Sequence, residues 1–113
     1  MPKTERWPEA KLLIETNIVN GEPGFAAGDL VRAGDIAEEV GFGLQTVKRA
    51  MRQMEAEGTL QLTQGLGYRV KPYVKRRIRE GRINEVRQMM KDAMKLGAAI
   101  GMTRDELAAM LDP

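Results

Sequence analysis

Apolar positions in the first half of the chain recur every three or four residues, which is the spacing of residues on one helix face. Glycine-rich stretches separate these segments, and glycine commonly follows the last residue of a helix. Gly21 and Gly58 are therefore expected to end the first and third helices, and residues 41–43 to form a tight turn between the second and third. The predicted helices cover residues 8–20, 33–40 and 44–57.

The pattern changes from helical spacing to strict alternation after the third helix. Apolar and polar residues alternate over residues 59–63 and 68–71, which predicts two short strands. Gly65 and Gly67 stand between them, where a hairpin turn needs positive φ angles. Because Pro72 cannot continue the second strand, a β-hairpin that ends there is expected.

Helical spacing returns in the last third of the chain, with a long helix over about residues 73–100 that Gly101 ends. Thr103 and Glu106 have the spacing of a capping box, so a final helix is predicted from 104 to 111. The predicted fold is mainly α with a small β-hairpin wing, namely a winged helix-turn-helix followed by a C-terminal helical hairpin. The predicted domains are residues 1–72 and 73–113.

The last two helices carry a wide apolar stripe. A tail of this length cannot bury so wide a stripe on itself, so we expect it to pair with its copy in a two-fold dimer. The methionines in the stripe are interpreted as adaptable packing residues rather than as a metal or cofactor site. The predicted dimerisation residues are Ile83, Val86, Met89, Met90, Ala93, Leu96, Ile100, Leu107, Met110 and Leu111.

Composition argues against catalysis. The chain has no cysteine and no histidine, which removes the thiolate nucleophile, the commonest general base and the usual zinc ligands. The carboxylate pairs at 38–39 and 105–106 lie in polar helical segments and are interpreted as solvated. We expect no enzyme activity, no cofactor and no metal. With no long apolar run, the protein is also expected to be cytoplasmic and not to bind membranes.

Charge is distributed unevenly along the chain. Residues 1–43 hold four Lys and Arg against eight Asp and Glu, residues 44–82 hold ten against three, and residues 83–113 hold four against five. The overall charge of +2 therefore conceals a strongly basic middle third. This concentration suits a polyanionic partner such as double-stranded DNA, although a charged surface that only keeps the protein in solution would look the same.

The second and third predicted helices have the residue pattern of a helix-turn-helix. Two helices that cross after a three-residue turn need a small residue at the crossing, a turn glycine and an apolar side chain between them. Ala37, Gly41 and Val47 stand at these positions, and an unrelated helical hairpin would match them only by chance. The residues expected to fill the space around Val47 are Ile36, Val40, Phe42 and Ala50.

The third helix would be the recognition helix of this unit, with its polar side chains facing the major groove. The hairpin would act as a wing with Gln64 and Arg69 near its tip, and the basic residues after it would contact phosphates or remain solvated. The predicted DNA-binding residues are Arg32, Gln45, Thr46, Lys48, Arg49, Arg52, Gln64, Gly65, Leu66 and Arg69. The predicted accessory phosphate contacts are Lys71, Lys75, Arg76 and Arg77, within a basic cluster that also includes Arg79 and Arg82.

These residues carry a family resemblance. The run GDIAEEVGFGLQTVKRAMRQMEAEGTLQLTQGLGYRV resembles the DNA-binding domain of GntR-family transcription regulators, most closely in TVKRAMRQMEAEG and QGLGYRV. The tail, with KLGAAIGMTRDELAAML, is similar to the two-helix tail of the YtrA subfamily. The resemblance implies a homodimeric repressor of an inverted-repeat operator, with DNA contacts at Gln45, Thr46, Lys48, Gly65 and Leu66.

Two positions depart from the pattern of that family. Leu44 and Gly34 stand where the family usually has arginines that contact DNA, and Arg32 is a candidate substitute for one of them. A winged-helix module that binds a protein partner is therefore the main alternative, and a plasmid or phage replication or partition protein is another. The sequence leaves open whether a small-molecule effector controls the protein.

Overall fold

The computed structural model describes residues 5–112 and divides the chain into two compact units, Met1–Arg79 and Glu80–Pro113. The sequence-based boundary falls earlier, after residue 72. Val74 and Ile78, which follow it, are buried in the core of the first unit. The elements are α1 (Trp7–Val19), β1 (Leu30–Val31), α2 (Ala33–Val40), α3 (Leu44–Ala56), β2 (Leu60–Thr63), β3 (Gly67–Val70), α4 (Val74–Ala99) and α5 (Arg104–Ala109).

The core of the first unit lies between α1, α3 and the strands. The inner stripe of α3 predicted from the sequence is confirmed, because Val47, Ala50, Met51 and Met54 are all fully buried. Ile14 of α1 is equally buried and belongs to the same cluster. Burial of such large side chains is the main stabilising contribution to this unit.

The helix-turn-helix is confirmed at its turn. Gly41 follows α2 with a φ of 73°, a left-handed conformation that glycine adopts without a steric penalty, and its N–H donates to the carbonyl of Ala37. Phe42 packs against the core as expected. The expectation for Val40 is wrong, because its side chain is 38% exposed. It is the last residue of α2.

The wing is a three-stranded antiparallel sheet with the order β1-β3-β2. The predicted hairpin is confirmed as β2 and β3, with Leu60 opposite Val70 and Thr63 opposite Gly67. The third strand was not predicted. Strand β1 has only two residues, and these pair with the central strand β3, far away in the sequence, so that no local alternation marks them.

The second unit contains most of α4 and the whole of α5. The capping box is confirmed, since the N–H of Glu106 donates to Thr103 Oγ1 and the N–H of Thr103 donates to the carboxylate of Glu106. Gly97 is buried, and a Cβ there would lie 2.9 Å from a δ-carbon of Leu107. The glycine therefore lets α5 pack directly on α4.

Most of the predicted dimerisation stripe is exposed in the single chain. Leu96 is 68% exposed and Ile100 is 71% exposed, while Leu107 is half-buried against Gly97. The other predicted dimerisation residues that are exposed are Ile83, Val86, Met89, Met90, Ala93, Met110 and Leu111.

Among the described residues, no helix is both long enough and apolar enough to cross a membrane.

Candidate nucleic-acid interface

A groove of about 470 Å³ separates the outer side of α3 from the wing. Its cationic walls come from Arg32, before α2, and from Lys48 and Arg52, on α3. Gly65 and Leu66, from the wing turn, close its other side. The described residues that line it include three cations and no carboxylate. The groove is therefore a positively charged concavity that suits an anion.

Apart from Leu44 at its start and Ala56 at its end, the outer face of α3 is polar, because its other apolar residues lie on the opposite, buried side. With about 100° between successive residues, Lys48 and Arg52 lie nearly in line along the helix. Both face the wing, and Gln45 lies beside them, nearer the middle of the exposed face. Thr46 is half-buried at the start of the helix. An amide, an ammonium and a guanidinium on one face match the donors and acceptors of base edges.

Arg32 ties the wing turn to the start of α2. Its Nε donates a hydrogen bond of 3.3 Å to the carbonyl oxygen of Leu66. Its aliphatic part also lies against Gly67, where a Cβ would come within 3.3 Å of Arg32 Cγ. This contact positions the wing turn beside the guanidinium of Arg32, and so brings together two predicted DNA-binding elements.

Tyr68 forms part of the groove wall between the wing and α3. Burial raises the pKa of its phenol, and the nearby carboxylate of Glu55 raises it further, against an opposing effect of Arg52. Glu55 also accepts a hydrogen bond of 3.2 Å from the backbone N–H of Leu62 in β2. The end of α3 is therefore joined to the wing by a carboxylate that lies beside a half-buried phenol.

Arg49 lies at the other edge of the exposed face of α3, about 100° around the helix from Lys48. Its Nη1 donates to a carboxylate oxygen of Glu5 at 2.7 Å, and its guanidinium carbon lies 5.2 Å from the ring centre of Trp7. Trp7 Nε1 donates to the second oxygen of Glu5 at 3.1 Å. These contacts hold the pKa of Glu5 below its usual value, with the Arg49 hydrogen bond as the largest cause.

Arg6 lies beside this group at the start of α1. Its guanidinium carbon is 4.5 Å from the ring centre of Phe42, in the turn that precedes α3. Its Nη2 also lies 3.4 Å from the carboxylate of Glu9. The sequence interpretation missed Glu5, Arg6 and Trp7, because nothing in the local pattern shows that the start of α1 meets α3. The available signal was a tryptophan that follows an acidic and a basic residue, in Glu5-Arg6-Trp7.

The remaining wing residues are not brought into the groove. Arg69 lies within β3, opposite Leu30 and Gln61, and its Nη1 donates to the carbonyl of Gly28 at 2.9 Å. The expectation that it lies near the tip of the wing is therefore wrong. Gln64 is exposed in the turn, next to Gly65.

The basic residues after the wing point to different places. A Cβ at Gly58 would lie 3.0 Å from Arg77 Nη1, so this guanidinium covers the end of α3. Lys71 and Lys75 line a separate cleft of about 290 Å³ that includes Phe25. Arg76 is exposed and has an interaction partner. Of the four predicted accessory residues, Lys71 and Lys75 thus share one cleft.

Two solved structures with a similar fold are described as transcriptional regulators. A GntR-family transcriptional regulator from Listeria monocytogenes matches with a TM-score of 0.75 and 20% identity, over 98% of this chain and 96% of its own. A transcriptional regulator from Oenococcus oeni matches with a TM-score of 0.73 and 12% identity, over 99% and 92%. At these identities the likeness establishes a winged-helix fold with an appended helical tail.

A third similar structure is a complex with DNA. S. agalactiae BusR bound to its busAB-promoter DNA matches with a TM-score of 0.57 and 16% identity, over 87% of this chain and 54% of its own. Neither a protein-family model nor a curated protein matches the sequence.

Proposed function

We propose that the protein is a sequence-specific DNA-binding transcription regulator of the GntR family, with the tail of the YtrA subfamily. The observation that carries this proposal is the cationic groove between α3 and the wing, formed by Arg32, Lys48 and Arg52. A recognition helix in the major groove and a wing beside it place a phosphate backbone in such a groove. Two of the similar structures are transcriptional regulators and the third is bound to promoter DNA, which supports this use of the fold.

The proposal assigns different tasks to different residues. Gln45 and Lys48 read base edges, because an amide pairs with adenine and an ammonium with guanine. Arg32 and Arg52 bind phosphates, which supply affinity but no sequence information. The exposed stripe of the tail pairs two copies, so that two recognition helices read an inverted repeat. The protein then acts as a homodimeric repressor in the cytoplasm, without a catalytic function.

The test is binding to the DNA upstream of the gene of this protein, followed by fluorescence anisotropy at several salt concentrations. We expect affinity to fall steeply between about 50 and 200 mM salt, because each neutralised phosphate releases counterions. Lys48→Ala should weaken specific binding about 10- to 100-fold, as expected for loss of a good base contact. Lys91→Ala, which removes an exposed lysine of α4, serves as the charge-matched control.

The proposal is contradicted if the folded protein does not bind DNA. A protein with an intact fold by circular dichroism that binds neither this DNA nor genomic fragments is not a DNA-binding regulator. An unchanged affinity of Lys48→Ala would reject the role of that residue alone.

One observation favours a second candidate, a winged-helix module that binds a protein. Leucines occupy part of the surface that would face DNA. Leu44 begins α3 and is 43% exposed, and Leu62 and Leu66 line the groove. Exposed apolar side chains of this kind are common in protein interfaces. This candidate predicts a partner protein that protects Leu44 and Leu66 from solvent, with no DNA affinity.

A further inference from the structure

The exposed face of α3 has a second basic edge, away from the wing. We call it the N-terminal cluster, and it consists of Glu5, Arg6, Trp7, Phe42 and Arg49. The two guanidinium groups lie over aromatic rings, Arg6 over Phe42 and Arg49 over Trp7. A guanidinium on an aromatic face keeps its N–H groups free to donate in the plane of the group. Both arginines are thus oriented rather than freely mobile.

The partner of Arg49 is a carboxylate that solvent can reach. The side chain of Glu5 is 58% exposed and that of Arg49 is 52% exposed, although their atoms are only 2.7 Å apart. An exposed pair of this kind contributes little net free energy, so exchange of its anion is not costly. A carboxylate and a phosphate present similar oxygen pairs to a guanidinium, which binds both in the same fork geometry.

We propose that Arg49 and Arg6 bind phosphates of the DNA backbone at the edge of the recognition helix opposite the wing, and that Glu5 occupies the phosphate position of Arg49 in the free protein. This inference rests on the proposed function. The recognition helix is then held in the major groove from both sides, by the wing groove at one edge and by the N-terminal cluster at the other. Arg49 exchanges the carboxylate of Glu5 for a phosphate when DNA binds.

The proposed exchange and a purely structural role of the cluster predict different effects of substitutions on DNA affinity. If Glu5 competes with DNA for Arg49, removal of its charge strengthens DNA binding, whereas removal of Arg49 weakens it. If the cluster only anchors the start of α1 to α3, both changes weaken the same contact and act in the same direction. The sign of the Glu5 effect therefore separates a DNA contact from an anchor.

The experiment measures the affinity of the full chain for its upstream DNA and the slope of log affinity against log salt. Glu5→Gln, which retains hydrogen bonding to Arg49, should bind about threefold more tightly, the size expected for release of an exposed ion pair. Arg49→Ala and Arg6→Ala should each bind about tenfold more weakly on all sequences and reduce the salt slope by about 1. Arg49→Lys should keep the slope, because it retains the charge.

Two control variants change the net charge by the same amount at other sites. Glu22→Gln removes an exposed carboxylate from the loop after α1, and Arg87→Ala removes an exposed guanidinium from α4. Neither is expected to change affinity. Circular dichroism of each variant checks that the fold is intact.

The outcomes separate this inference from the proposed function. The inference is overturned if Glu5→Gln binds DNA more weakly, or if Arg49→Ala and Arg6→Ala both keep the affinity and the salt slope of the unmodified protein. In either case, weaker specific binding by Lys48→Ala would leave the proposed function standing. Absence of DNA binding by the unmodified protein overturns both. If Glu22→Gln tightens DNA binding as much as Glu5→Gln does, the effect arises from net charge alone, and the inference is also overturned.

Discussion

Gly67, the first residue of β3, is the position where the backbone leaves least room for a side chain. Its φ of 127° lies in a region that glycine enters far more readily than other residues. A Cβ there would lie 2.9 Å from the carbonyl oxygen of Val31, which is backbone and belongs to β1. A side chain at this position would therefore press against β1, which pairs with β3.

We expect Gly67→Ala to destabilise the protein by about 2–3 kcal/mol, for two reasons. Alanine strains the backbone at this φ angle, and its Cβ presses on β1, which has to shift to make room. Urea unfolding followed by circular dichroism measures the loss. Gly65→Ala is the matched control, because Gly65 also has a positive φ, 79°, but nothing lies within 4 Å of its Cβ position. Equal losses for the two variants would show that strain alone matters and that the contact with Val31 does not.

Single residues were predictable from the sequence where their environment is local. Val47 and Gly41 follow from the spacing of a helix-turn-helix, and the structure places both as expected. Val40 fits the helical period of α2 equally well, but it is 38% exposed at the end of that helix. The ion pair of Glu5 with Arg49 joins residues 44 positions apart, so no local pattern indicates it.

At the scale of elements, the helices and the hairpin were predictable because each is defined by periodicity and by its end signals. The capping box at Thr103 and the glycine after α2 are such signals, and both are confirmed. Strand β1 has no such signal, because two residues are too few to show an alternating pattern. Their strand conformation comes from pairing with β3. Element boundaries agree with the predicted ones to within two residues, which is the usual uncertainty at frayed helix ends.

Helix α4 contains two glycines in different environments, which allows a matched comparison. A Cβ at Gly81 would meet nothing within 4 Å, whereas at Gly97 it would meet three side-chain carbons of Leu107 at 2.9, 3.0 and 3.3 Å. Gly81→Ala should stabilise the protein by about 0.5–1 kcal/mol through helix propensity. Gly97→Ala should lose this gain or reverse it, because Leu107 must move and α5 with it.

Thermal unfolding of both variants by circular dichroism provides the measurement. An equal rise in the unfolding midpoint for the two substitutions would mean that α5 is not held by the contact between Gly97 and Leu107. Hydrogen exchange within α5 gives a second readout, and faster exchange is expected in Gly97→Ala alone.

At the scale of the whole molecule, the charge and the apolar surface are divided between different parts of the chain. The cationic groove and the N-terminal cluster belong to the first unit, and the exposed apolar stripe belongs to α4 and α5. An apolar cleft of about 260 Å³ on the tail, lined by Met90, Leu107 and Leu111 among others, adds to that stripe. Large exposed apolar patches are uncommon on monomers and usually mark an interface. Self-association through the tail is therefore the expected assembly.

We expect Leu96→Lys to convert the protein from dimer to monomer, because it places an ammonium within the apolar stripe, where pairing would bury it without a partner. Sedimentation velocity over a range of protein concentrations gives the association state. The affinity for an inverted-repeat operator should fall together with dimerisation, because two linked recognition helices bind far more tightly than one. Leu12→Lys, at a leucine of α1 that is 48% exposed, is the matched control and should leave the association state unchanged. If the unmodified protein sediments as a monomer throughout, or if Leu96→Lys sediments in the same way as the unmodified protein, the tail does not pair two copies, and the protein would have to bind DNA as a single recognition unit.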